Sequence, residues 1–202
     1  FVEAGVSDSG TLGSNDVNPP GILYDKTGTG SYGVNDFLTP GTPFEGFYVT
    51  GNLVTGAPYS QSSNNGNASE YEGGTTFATT SPTSITGSKA SWTGTSLDGT
   101  LTVTNTYTLT TISGRSVIAI ETTLTNNTND PFANLEFLRT LDPDPDVNAF
   151  GSYFTQNAII LGEACGTGVQ SGETICIGTN DNTYLSKAGV SGGSGSSPWS
   201  IV

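Results

Sequence analysis

Leu101-Thr102-Val103-Thr104-Asn105-Thr106-Tyr107-Thr108-Leu109-Thr110 is a run of period two. Leu101, Val103, Tyr107 and Leu109 fall on one face, while Thr100, Thr102, Thr104, Thr106, Thr108 and Thr110 line the other. Side chains alternate between faces along an extended chain, so the pattern predicts a strand with one buried and one wet side. Strands of that kind belong to antiparallel sheets. After the turn residues Ser113-Gly114-Arg115 comes Val117-Ile118-Ala119-Ile120-Glu121-Thr122-Thr123-Leu124, with Ile118, Ile120 and Leu124 on one face. The two runs read as a hairpin.

Further on, Asn126-Asn127-Thr128-Asn129-Asp130-Pro131 is built of turn-favouring residues and leads into Leu135-Glu136-Phe137-Leu138-Arg139-Thr140-Leu141. Leu135, Phe137, Arg139 and Leu141 alternate there with Asn134, Glu136, Leu138 and Thr140, which predicts a third strand continuing the hairpin. Three consecutive antiparallel strands would carry the next residues, Asp142-Pro143-Asp144-Pro145-Asp146-Val147-Asn148, to one rim of a sheet. Each proline fixes its own φ and pushes the residue before it towards extended geometry, so Asp142 and Asp144 are not helical.

Three carboxylates at i, i+2 and i+4 of an extended chain stand roughly 6–7 Å apart and repel by about half a kcal/mol per neighbouring pair in water. A hard cation turns that repulsion into a site. Calcium loops commonly begin with Asp at positions 1, 3 and 5 and use a backbone carbonyl at position 7, here that of Asn148. The helical calcium hand also needs Gly at position 6 and Glu at position 12, where this chain has Val147 and Tyr153. A solvated acidic turn would have the same local sequence. Composition favours the metal.

Of the 202 residues, 18 are Asp or Glu and 5 are Lys or Arg, giving a formal charge of −13. Without a basic patch, nucleic acid and anionic membranes are poor partners and divalent cations natural ones. His is absent, which removes the usual ligand for zinc, iron and copper and the commonest general base. Any metal is expected on oxygen. A 33% hydrophobic fraction rich in Gly, Thr, Ser and Asn suits strands joined by many turns. No apolar run approaches the ~20 residues of a membrane helix, so no membrane insertion is expected, and the chain, starting at Phe1-Val2-Glu3, reads as a domain excised from a longer protein. Cys165 and Cys176 flank a turn-rich loop; a disulfide there is expected over two buried thiols, and it would imply an extracellular setting.

The remaining chain agrees with an all-β architecture. Residues 1–20 read as loop with at most one short strand. Residues 21–47 alternate Gly with aromatic residues; Tyr24, Tyr32, Phe37, Phe44 and Phe47 are candidates to line a pocket. The Gly28, Gly30, Gly33 spacing lacks a βαβ context and is not a dinucleotide motif. Strands are expected over residues 47–55 and around Phe77, with a polar loop at 61–67 between them. Two more short strands are expected over residues 150–154 and 157–161. The glycine- and serine-rich run at 191–197 reads as a flexible linker, and the apolar residues after it as a return onto the core. The expected fold is a single-domain antiparallel β-sandwich over residues 1–202, with long Gly/Asn-rich loops and little helix.

Three segments, Tyr32-Gly33-Val34-Asn35-Asp36-Phe37, Gly41-Thr42-Pro43-Phe44-Glu45-Gly46-Phe47 and Arg139-Thr140-Leu141-Asp142-Pro143-Asp144-Pro145-Asp146, together resemble the peptide-binding domain of the large calcium-dependent RTX adhesins of Gram-negative bacteria. The resemblance spans most of the chain. It implies a monomeric, non-enzymatic, calcium-stabilised β-sandwich on the cell surface, in which a calcium ion helps hold the C-terminal carboxylate of a peptide on a target cell. Incompletely coordinated calcium gives an acidic domain a positive spot for anionic oxygen, and C-terminal capture gives end-specificity. The expected metal ligands are Asp142, Asp144 and Asp146, with Asp36 and Glu45 as further candidates. Tyr32, Phe44, Asn148 and Tyr153 are the candidate ligand-binding residues.

Three other readings compete. In a calcium-dependent carbohydrate-binding module, Trp92, Trp199 or a tyrosine would stack on a sugar. A glycoside hydrolase or lyase would draw a carboxylate pair from Glu121, Glu136 and Asp142. A structural extender domain would use calcium only to become rigid.

Overall fold

The computed structural model describes residues 1–14, 20–32, 36–38, 44–65, 76–181, 183 and 186–190, with the backbone alone described for Phe44 and Pro82. Its elements are β1 (Val2–Ala4), β2 (Ile22–Tyr24), β3 (Phe44–Leu53), β4 (Pro58–Asn64), β5 (Phe77–Thr86), β6 (Lys89–Ser96), β7 (Leu101–Ile112), β8 (Arg115–Asn126), β9 (Phe132–Asp142), α1 (Val147–Phe150), β10 (Thr155–Ile160), β11 (Glu163–Gly168) and β12 (Thr174–Ile177). The fold is all-β, as expected. The strands form sheets of order β5-β6-β7-β8, β4-β3-β9, β10-β11-β12 and β1-β2, every pairing antiparallel.

β7 follows its sequence pattern: Leu101, Val103, Asn105 and Tyr107 are buried and the intervening threonines half-exposed. On the wet face, the Thr93 and Thr104 hydroxyls meet at 3.1 Å and those of Thr95 and Thr102 at 3.0 Å, which adds cross-strand support. The β7–β8 hairpin turns at Ser113 and Gly114, both at positive φ. Two such residues match the right-handed twist of the strands they join.

β9 departs from expectation. It crosses to the second sheet and pairs with β3, from Phe44↔Asp142 to Leu53↔Phe132, instead of continuing the β7–β8 hairpin. The physical reason is the apolar face of the first sheet, which needs a cover. Phe47, Val49 and Tyr59 of the second sheet pack on Phe77, Trp92, Leu101 and Val103 of the first, with Phe132 and Leu124 at the margin. Phe137 stacks on Phe47 with ring centroids 6.1 Å apart. A second core cluster joins Leu12, Ile22, Phe37 and Leu38 to Tyr107, with Leu141 of β9 and Ile175 of β12 against it.

Other expectations need correction. The polar loop at 61–67 is in part strand: β4 runs to Asn64 and buries Ser62, Ser63 and Asn64, so polar side chains occupy positions where alternation would have marked apolar ones. β6 went unread because small residues surround its one large side chain, Trp92. That indole is 1% exposed, and a Cβ added at either Gly10 or Gly94 would lie 2.3 Å from its ring. Residues 150–154 hold the end of α1 and a bend, not a strand; α1 closes on Gly151 in the left-handed region. The segments 66–75 and 191–202 lie outside the described residues.

Candidate functional site

Asp142 ends β9 opposite Phe44, and its exposed side chain stands at the rim of the β4-β3-β9 sheet. Pro143 is buried against Gly166, where an added Cβ would come within 2.8 Å of its ring. The Asp144 amide then donates to the Phe37 carbonyl at 2.9 Å, fixing the acidic run to the 36–38 segment. The extended geometry expected of the whole acidic run ends at Asp144: Pro145 and Asp146 form a turn into α1, closed by the Val147 amide donating to the Asp144 carbonyl at 3.2 Å.

The expected metal ligands divide into two groups. Three spend their carboxylates inside the protein. Asp146 is fully buried and accepts from the Gln170 amide at 2.7 Å and the Ser171 amide at 3.1 Å, clamping the β11–β12 turn. Burial works against its charge, but the Ser171 hydroxyl and these two amides outweigh it and hold the carboxyl below the usual range. Asp36 accepts from the amides of Gly21 at 2.7 Å, Ile22 at 3.0 Å and Leu38 at 2.9 Å, and so shapes the approach to β2. Glu45 accepts from Arg139 Nε at 2.6 Å and from the Leu12 amide at 2.5 Å. Burial pushes the Glu45 carboxyl up, while Arg139 and the Leu12 amide oppose it; the guanidinium, despite its own burial, is held above its ordinary value by Glu45. Two donors on one carboxylate keep this an ion pair.

The second group is Asp142 and Asp144. Among the described residues, neither side chain accepts a hydrogen bond or makes an ion pair. Although Asp142 stands exposed at the rim, the protein around its carboxyl desolvates it in part and raises it. Burial, with the charge of Asp142 added, pushes Asp144 up to about 7. Two neighbouring carboxylates without donors form a site of excess negative potential. All-oxygen donors of this kind fit a hard cation, which takes about six to eight oxygens. The pair can supply up to four of these, and backbone carbonyls, water or an anionic ligand would complete the shell. Among the described residues, the one group of three ligand-type side chains with donor atoms within 4.8 Å of one another is Glu163, Cys165 and Cys176. Its two sulfurs are already joined in the cross-strand disulfide of β11 and β12, as the sequence led one to expect.

The candidate ligand-binding residues are scattered. Asn148 is half-buried in α1, and Tyr153 follows that helix, 61% exposed. Tyr32 is half-buried in the loop ahead of Asp36. The Phe44 backbone pairs with Asp142, and its side chain lies outside the described set. Among the described residues, no hydrogen bond or ring contact joins Tyr32 or Tyr153 to the Asp142–Asp144 pair. Trp92 is unavailable for stacking on a sugar, and Trp199 lies outside the described residues. Glu121 and Glu136 are exposed on strands of different sheets.

Sequence reasoning missed a buried polar hub. Tyr107 donates its hydroxyl to the Gly10 carbonyl at 2.6 Å and accepts from Arg139 Nη2 at 3.3 Å, while Asn105 donates to the same Gly10 carbonyl at 3.2 Å. Asn65 adds a donor to the Leu12 carbonyl at 2.7 Å. The available signal was Arg139 itself, a charge on the face it shares with Leu135, Phe137 and Leu141.

No family model matches the chain, and neither a curated protein nor a solved structure matches it.

Proposed function

We propose that this domain is a calcium-dependent binding module of a bacterial surface adhesin, with Asp142 and Asp144 as the protein ligands of the functional ion. One observation carries the reading: these two carboxylates alone, of the five expected ligands, have no protein donor among the described residues. Asp146, Asp36 and Glu45 then build the frame around the ion rather than its shell. Bound calcium would supply open positions for anionic oxygen, so the partner is a peptide or protein C-terminus on another cell. The resemblance to RTX adhesin domains, the oxygen-only donor set and the disulfide of an oxidising compartment support this role and an extracellular setting. The module is proposed to act by binding, without turnover.

The test is calorimetry on the full chain. Calcium is titrated into the protein and into Asp142→Asn and Asp144→Asn variants, followed by short peptides with free or amidated C-termini. The expected result is calcium binding lost in both variants and peptide binding that needs both the ion and the free carboxylate. Equal binding of amidated peptides would remove the carboxylate from the mechanism. Calcium-dependent stabilisation with no peptide bound would make the domain a structural extender.

A further inference from the structure

Among the described residues, β10 is an edge strand of the β10-β11-β12 sheet, and every residue from Gln156 to Ile160 is exposed. Ile159 and Ile160, on opposite faces, are 48% and 45% exposed, and Leu161 at the hairpin tip is 91% exposed. The chain enters this arm through Phe150, Tyr153 and Phe154, themselves 51%, 61% and 78% exposed. Residues 147–162 contain no charged side chain, in a protein of net charge −13. At the base of the tip, Glu163 is paired with Arg115 at 3.0 Å.

The tip is built against local preference. Leu161 and Gly162 form a two-residue loop with φ of 54° and 85°. Such loops prefer Asn or Asp followed by Gly, and a leucine in the left-handed region is strained by its Cβ. That strain displays an isobutyl group to solvent. The strand also lacks the devices that blunt an edge: it has no Pro, no Lys and a continuous register with β11. By contrast, β5, the edge of the four-stranded sheet, contains Pro82 and two register shifts. The arm is held rigidly, because the Cys165–Cys176 disulfide joins β11 to β12 and Asp146 clamps the β11–β12 turn.

We infer that β10 is a docking edge, independent of the calcium reading, for an extended, net basic peptide segment of a partner protein, which adds as a strand to the β10-β11-β12 sheet. The backbone selects a strand. A two-residue loop closes on the bonded pair Ile160↔Glu163, so alternation turns the N–H and C=O of Ile159 away from β11. A bilayer would leave such backbone groups unsatisfied. A second copy would set −13 against −13. A basic segment instead follows the field of the domain, and its apolar side chains can lie against Ile159 and Ile160 on either face.

The test uses end-blocked octapeptides alternating Lys with Val or Lys with Ile, in EDTA, with the full chain. Blocked ends and chelator keep carboxylate capture and metal out of the measurement, so its failure is distinct from failure of the calcium reading. Anisotropy reports affinity, and amide exchange by NMR reports the Ile159 N–H. Expected are protection of that amide and binding weakened about tenfold or more by N-methylation of alternate peptide amides or by Ile159→Lys. Leu161→Asn should raise the melting temperature while weakening binding, which separates display of the leucine from folding. N-methylated peptides that bind as well as their parents, or an Ile159 amide that stays unprotected with both peptides, would overturn the proposal. So would β10-dependent dimerisation in light scattering, or β10-dependent sedimentation with phosphatidylcholine vesicles in place of peptide binding.

Discussion

Arg139 on β9 reaches diagonally across the sheet to Glu45 on β3: the register pairs Arg139 with Phe47 and Glu45 with Leu141, yet Nε and the carboxylate meet at 2.6 Å. The two side chains are 9% and 1% exposed. Through Tyr107 and the Leu12 amide, the pair ties both sheets to the N-terminal segment. Removing one partner leaves the other charge buried, a loss of about 3–5 kcal/mol. Arg139→Met and Glu45→Gln should each lose that much in denaturant unfolding, and a double apolar replacement should recover most of it. In Arg139→Met, only the Leu12 amide still opposes burial at Glu45, whose folded pKa rises further, so the defect should be larger at pH 8 than at pH 5. Losses below 1 kcal/mol in both single variants would mean that the pair is solvated.

The packing of Trp92 gives a steric prediction. Gly94→Ala places a methyl 2.3 Å from the indole in a strand at ordinary φ and should cost about 1–3 kcal/mol or more. Gly10→Ala adds backbone strain to the same clash, since φ there is 69°. Gly114→Ala meets open space at positive φ and should cost only about 1 kcal/mol. Thermal melts should therefore place Gly10→Ala lowest, Gly94→Ala above it and Gly114→Ala closest to the parent.

Asp25 contributes to the acid limb of stability. The Thr27 hydroxyl, acting against burial and helped by the amides of Gly30, Thr27 and Gly28, holds its carboxyl at about 2. A depressed folded value stabilises above the unfolded value of about 3.9, and that stability is lost as pH falls towards 2. Asp25→Asn should therefore be least harmful near pH 2 and increasingly harmful up to pH 5, where its melting temperature is compared with the parent's.

Asp144 has the opposite sign. Its folded value of about 7, raised by burial and then by Asp142, favours the protonated form. In EDTA its contribution is present below about pH 4 and lost as pH rises towards 7. Calcium should restore stability above pH 7, and Asp144→Asn should remove both the pH dependence and the calcium response. A calcium-induced rise in melting temperature of equal size in Asp144→Asn and the parent would place the ion elsewhere.

Reduction of Cys165–Cys176 opens a loop that closes over a sequence separation of 11. Chain entropy puts its stabilisation at about 3 kcal/mol. Denaturant unfolding of a Cys165→Ala/Cys176→Ala variant should show a loss up to that size, concentrated in exchange of the β11 and β12 amides.

The sequence by itself determined the strands whose two faces differ chemically. Leu101 to Leu109 against the intervening threonines, and Ile118 to Leu124 after Ser113-Gly114, are legible because alternation is a property of neighbouring residues, and so is the spacing of Cys165 and Cys176. β4 and β6 were illegible because, apart from Tyr59 and Trp92, their buried positions hold Ser, Asn and Gly, and the backbone ladder rather than an apolar stripe defines them. Only the tertiary structure decided which sheet β9 joins and which carboxylates remain available. Glu45 and the Leu12 amide are 33 positions apart, and Asp146 and the Gln170 amide are 24 apart. A carboxylate that will accept a distant amide and one that will face solvent look alike in sequence, because the donor that distinguishes them arrives only when the chain folds.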